Sequence, residues 1–273
     1  MDQATLSGDD ARGDFGRSLA RADRRLSAGV DALERLVVLG ACRLIDDETV
    51  ARVRALIGDL AAQLAGPDHA LVQPVAEMLA VNRAILAHCH ALAVEWRLAM
   101  RLAARLTLDP VLPPLVQAHA ATMMPLIAAQ TRSLEATRRM GLVLDDLPAD
   151  LLHLAHAVVR AARADWGVTG HVDAPSRPDE AHGRLALLHD AVAGLGDDRT
   201  RALRIDEAGV SLFFTALAMA SATPRETVVI AAAEDDPVRL AAVLNGAGLA
   251  QADVARQLLA LRPDAELPAE AAR

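Results

Sequence analysis

The stretch "AILAHCHALAVEWRLAMRLAARL", Ala84 to Leu106, decides the fold: it consists mainly of strong helix formers and is apolar on more than one side. At about 100° per residue, with Ile85 at zero, Cys89, Leu92, Trp96 and Ala103 fall along one stripe. Val94, Leu98 and Leu102 lie away from it and form a second apolar face. Such a helix is either central in its own domain or lends that face to another chain. Val94, Leu98 and Leu102 are therefore the candidate interface residues, for a protein partner or a homodimer.

The same stretch holds His88, Cys89 and His90, three side chains of metal-binding type. His88 and His90 point about 200° apart around the helix, so they do not share one ion; a ligating pair needs i, i+3 or i, i+4 spacing. Cys89 lies in the apolar stripe, where a free thiol behaves as a small hydrophobe. His88 falls on one flank near Glu95, and His90 on the other with Arg83, Arg97 and Arg101. No metal site is expected here.

The whole chain repeats the helical bias. Its 273 residues contain 59 Ala, no Lys, no Tyr, three Phe and two Trp, so the aromatic residues that favour strands are nearly missing. An all-α fold follows. The use of Arg alone for basic positions reflects a GC-rich genome rather than guanidinium chemistry. A net charge of −8 opposes nucleic-acid binding and attraction to an anionic membrane. Cys42 and Cys89 have no zinc-type or disulfide-framework spacing. The start, "MDQATLSGDDARGDFGR", is acidic and polar, unlike a secretory signal, and no run of about 18 uncharged apolar residues appears. A cytoplasmic location is the expectation.

Punctuation divides the chain. Residues 1–17 read as a mobile tail, and 18–166 as a bundle of long helices at about Ser18–Ile45, Asp47–Leu64, Val72–Leu108, Leu115–Met140 and Leu147–Trp166. In this scheme Pro74 sits in a first turn, Pro125 kinks its helix and Gly141 ends it. "GVTGHVDAPSRPDE" makes 167–180 a linker. Residues 181–262 read as short antiparallel helix pairs, an α-solenoid or HEAT-like arrangement, and 263–273 as a tail. "TPRE" predicts a capping box with Thr223 as N-cap and Glu226 reaching back, and Asp236 caps the next helix.

One helix face offers ligand chemistry. In "LLHLAHAVVRAARADW", His153, His156, Arg160 and Arg163 fall opposite the apolar stripe at i, i+3, i+7 and i+10. Two imidazoles and two guanidiniums on one face suit a phosphate or a carboxylate, or a histidine phosphotransfer role. An ordinary solvated face is the plainer reading. No phosphate loop, zinc-protease, nucleophile-elbow or EF-hand motif is present, so no catalytic residue, metal or cofactor is assigned.

The C-terminal stretch Phe213 to Asp264 carries "LAMASATPRETV", "DDPVRLAAVLNGAGL" and "QLLALR". In this order the segments resemble a bacterial all-helical family catalogued as domain of unknown function 2336. "VLPPLVQ", Val111 to Gln117, also fits that family's middle region, and Thr223 stands where the pattern has Gly. The resemblance implies a bacterial, cytoplasmic, helical-repeat-like protein acting through partners, and carries no catalytic residue. The expected function is a non-enzymatic interaction or scaffold protein, such as a signalling adaptor. The alternative is a ligand-binding or phosphotransfer protein using the His153 face.

Overall fold

Apolar residues at i, i+3 and i+4 turn Asp47–Ala65 into helix α1, whose Val53, Leu56, Ile57, Leu60 and Leu64 are buried. The computed structural model describes residues 19, 20, 23, 47–168 and 183–263. Among these it is all-α, with no strand. The expected tail 1–17, most of the helix at 18–45, most of the linker 167–180 and residues 264–273 lie outside the described residues.

After α1, Gly66 takes a left-handed φ of 61° and the chain turns into α2, His69–Ala80. The expected single helix Val72–Leu108 is instead two helices. It breaks at Val81–Asn82, and α3, Arg83–Leu106, leaves at 91° to α2. The reason is local: the Asn82 side chain accepts hydrogen bonds from the Ala84 and Ile85 amides at 3.1 and 3.2 Å, capping a new helix. Pro74 accordingly sits inside α2 rather than in its first turn.

The remaining helices are α4 (Pro114–Ala118), α5 (Ala120–Arg138), α6 (Ala149–Asp165), α7 (Arg184–Gly194), α8 (Ile205–Ser221), α9 (Arg225–Ala231), α10 (Val238–Gly246) and α11 (Gln251–Leu261). Two 3-10 turns, Leu144–Asp146 and Gly196–Leu203, precede α6 and α8.

Two apolar cores result, and α3 belongs to both. Its Ile85, Leu86, Cys89 and Leu92 face a first core made with α1, α2 and α6. Its Ala91, Val94, Leu98 and Leu102 face a second core made with α4, α5 and α7–α11. The second apolar face of the long helix is thus covered by the chain itself. Val94, Leu98 and Leu102 are at most 3 % exposed, which corrects their assignment to an interface with another chain.

The packing boundary also differs from the expected one. Leu115, Val116, Met123 and Leu126, all ahead of the linker, pack in the second core. Glycine and proline mark a loop but say nothing about which core the flanking helices join. Nor do α7–α11 stack as a solenoid, where each unit would touch only its neighbours. Instead α8 is a hub, contacting α3, α4, α7, α9, α10 and α11.

Candidate functional site

Glu95 is the acidic residue of the "HALAVEW" segment of α3, on the border between its two apolar faces, and it is buried. A carboxylate in such a place requires partners, and three elements deliver them. Arg184, the first residue of α7, sends Nη1 to Glu95 Oε1 at 3.0 Å and Nη2 to Oε2 at 3.3 Å. Arg225, the first residue of α9, donates from Nη1 to Oε2 at 3.0 Å. Ser211 Oγ donates to Oε1 at 2.6 Å.

The arginines are themselves held. Arg184 Nη1 also reaches Gln130 Oε1 on α5 at 3.0 Å. Buried Asp146 accepts the Arg184 backbone amide at 3.3 Å and lies 3.6 Å from its Nε. Arg225 Nε donates to Thr215 Oγ1 at 3.0 Å. Two guanidiniums at helix N-termini would be disfavoured by the helix dipole; here two carboxylates balance them.

A bend in α8 places Ser211. Gly209 adopts φ 70° and ψ 173°, a conformation open almost only to glycine, and a Cβ there would meet Pro113 Cγ at 2.9 Å. The helix restarts after it, bringing Ser211 and, one turn on, Thr215 toward Glu95 and Arg225. Next to the cluster, His88 Nδ1 lies 3.3 Å from Glu226 Oε1, a second tie between α3 and α9. This corrects the expected capping box: Glu226 turns to His88, and Thr223 Oγ1 donates to Ser221 O. Asp236 does cap, accepting the Val238 amide at 3.1 Å.

Electrostatics follow the geometry. Burial would push the Glu95 carboxyl up, but the charges and hydrogen bonds of Arg184 and Arg225 outweigh it and hold it well below the usual carboxylate range. Burial opposes the charge of Arg184, yet Glu95 and Asp146 raise its proton affinity above the ordinary value. The His88 hydrogen bond is the largest influence on Glu226 and lowers it. Beside the cluster a space of about 40 Å³ opens between Trp96, Gln130 and Ser133, room for about one water molecule. A carboxylate that is ionised and ringed by donors is a strut and is unsuited to moving protons.

The expected α6 face is only partly assembled. His153 and Arg160 are exposed, and His156 is half-buried. Burial is the main influence lowering the proton affinity of His156, with Arg160 and His153 adding repulsion. Arg163 is drawn off by Asp68, 2.5 Å away at the start of α2. Cys89 lies in the first core, where burial pushes its thiol up to about 12. No group of three or more His, Cys, Asp or Glu suited to a metal ion lies among the described residues, and no single described helix is long and apolar enough to cross a membrane.

The ionic cluster escaped sequence reasoning. Glu95 alone left a signal, an acid in a helix otherwise apolar nearly all round. Arg184 and Arg225 lie 89 and 130 positions from it, beyond any local pattern. Comparison of the chain with protein-family models, curated proteins and solved structures finds no match.

Proposed function

We propose that the chain is a non-enzymatic helical interaction protein, a scaffold or signalling adaptor that meets a protein partner or a second copy of itself. The observation that carries this reading is the saturation of Glu95. The most buried acid among the described residues is ringed by Arg184, Arg225 and Ser211, so it serves to fix α3, α7, α8 and α9 in one arrangement. Other charged side chains are likewise paired within the chain, Arg163 with Asp68 and His119 with Asp198. A rigid body with large apolar side chains at its surface, Trp166 and Met124 among them, suits recognition of another protein. Resemblance of the C-terminal stretch to domain of unknown function 2336 supports the same class, and with it a bacterial cytoplasmic setting.

The test is affinity purification of the tagged chain from its own cell, with light scattering on the eluted sample. A stoichiometric protein partner or a dimer is the expected result, unchanged by the double variant His153→Ala/His156→Ala. A chain that elutes alone and monomeric at micromolar concentration overturns the reading. Loss of a bound ligand in the double variant would transfer the function to the α6 face.

A further inference from the structure

Arg239, the second residue of α10, is buried although it carries a charge, and its two acidic partners come from different places. Glu234, in the turn after α9, accepts from its Nε at 2.9 Å. Asp23, 216 positions away, accepts from its Nη1. The Glu234 side chain is 16 % exposed and that of Asp23 61 %, so only the first belongs to the interior. Leu19, Ala20 and Asp23 are helical, and Leu19 is half-buried. Asp23 lies 24 positions ahead of Asp47, where α1 of the first core begins. It nevertheless meets α10, whose Leu240 and Leu244 belong to the second core.

The surrounding charges make the distant partner the replaceable one. Burial is the main cause that raises the Glu234 carboxyl above its ordinary value; Arg239 opposes the rise, and Asp236 and Asp23 add to it. Asp23 is therefore attracted by Arg239 at contact and repelled by the acids behind it. Those acids are occupied in their own turn: Asp236 accepts the Val238 amide, and exposed Asp235 stands 4.0 Å from Arg262. Arg262 in turn donates to the Ala233 carbonyl at 3.3 Å. Glu234 alone supplies the counter-charge that a buried guanidinium requires.

We infer that Asp23 is an exchangeable partner of Arg239, so that the chain ahead of α1 is fastened to the second core by a salt-sensitive tie. An ion pair with one partner largely in solvent is weak and is screened by salt. When Asp23 lets go, Arg239 keeps its bond to Glu234, and Leu240 and Leu244 keep α10 in the core. The tie thus opens without disturbing the helix that carries it. Glu234 is the permanent partner and Asp23 the removable one, and the difference follows from their exposure.

Limited trypsin digestion of the full chain tests this. The reading is cleavage after Arg24, next to Asp23, relative to a synthetic peptide of residues 14–30 carrying the same substitution. Asp23→Asn should raise that relative rate roughly two- to fivefold, the range for a partly exposed pair. Arg239→Gln should do the same, and the double variant should be cleaved no faster than the faster single, since both remove one contact. Raising sodium chloride from about 0.05 to about 0.5 M should speed the parent and leave Asp23→Asn unchanged. A melting curve shows whether Arg239→Gln loosens α10; Asp23 is exposed and carries no such risk, so its variant and the salt series decide by themselves. An Asp23→Asn rate equal to the parent's, or an equal salt response in both, overturns the assignment. So do additive effects in a double variant that melts like the parent.

Discussion

The first core and the second are built on different plans although they share α3. The first is closed by helices with clear apolar stripes: Leu56 and Leu60 of α1, Leu71 and Leu79 of α2, and Ala155 and Val159 of α6 all face inward. Its polar ties lie at the edges, where Asp59 accepts the Leu142 amide and Gln63 donates to the Leu142 carbonyl. The second core is organised around one bent helix, α8, whose Phe213 and Phe214 are fully buried and sit 5.5 Å apart. A charged cluster runs down the border between the two. Apolar stripes alone can close a layer of helices, whereas a hub helix touched from many directions needs a bend and directional bonds to fix its rotation.

Three substitutions probe that difference. Glu95→Gln removes the charge that balances Arg184 and Arg225 and should cost about 3–5 kcal/mol in urea unfolding, the range for breaking a buried ion pair. The pH dependence gives an independent reading. The folded Glu95 binds a proton less readily than the unfolded one, whose pKa lies near 4.3, so its contribution is complete above that value and declines as the pH falls below it. The parent should therefore lose stability in acid more steeply than Glu95→Gln.

Gly209→Ala places a Cβ 2.9 Å from Pro113 in a conformation that strains any other residue. A loss of about 2–4 kcal/mol is expected, from backbone strain and overpacking together. If it also displaces Ser211, fluorescence or NMR probes in α8 should change while those in α1 and α2 do not. The smallest effect belongs to the first core: Asn82→Ala removes the cap of α3 and should cost about 1 kcal/mol by the same assay. Equal losses for Gly209→Ala and Asn82→Ala would remove the contrast between the two cores.

Legibility in the sequence follows the same line. The stripe Ile85–Cys89–Leu92 and the helix Asp47–Ala65 are local patterns, and the structure reproduces both. The second face of α3 was visible too, but periodicity shows that a face is apolar and cannot say what covers it. The break at Asn82 carried a readable sign, a cap-forming residue inside an apolar run, which strong flanking helix propensity obscured. Gly209 carries no local sign of its role, because the contact that excludes a Cβ there is with Pro113, 96 positions away. The cluster around Glu95 joins residues up to 130 positions apart, and only the fold brings them together.

Cys89 gives the first core a built-in chemical clock. Its thiol is 1 % exposed and its proton is held more tightly than in water, so disulfide reagents find almost no thiolate while the helices are closed. In a Cys42→Ser background every labelling event then records an opening of the first core around α3. The labelling rate, followed across reagent concentrations, separates how often that opening occurs from how long it lasts. Comparing that rate with the rate of global unfolding then shows whether the first core opens by itself.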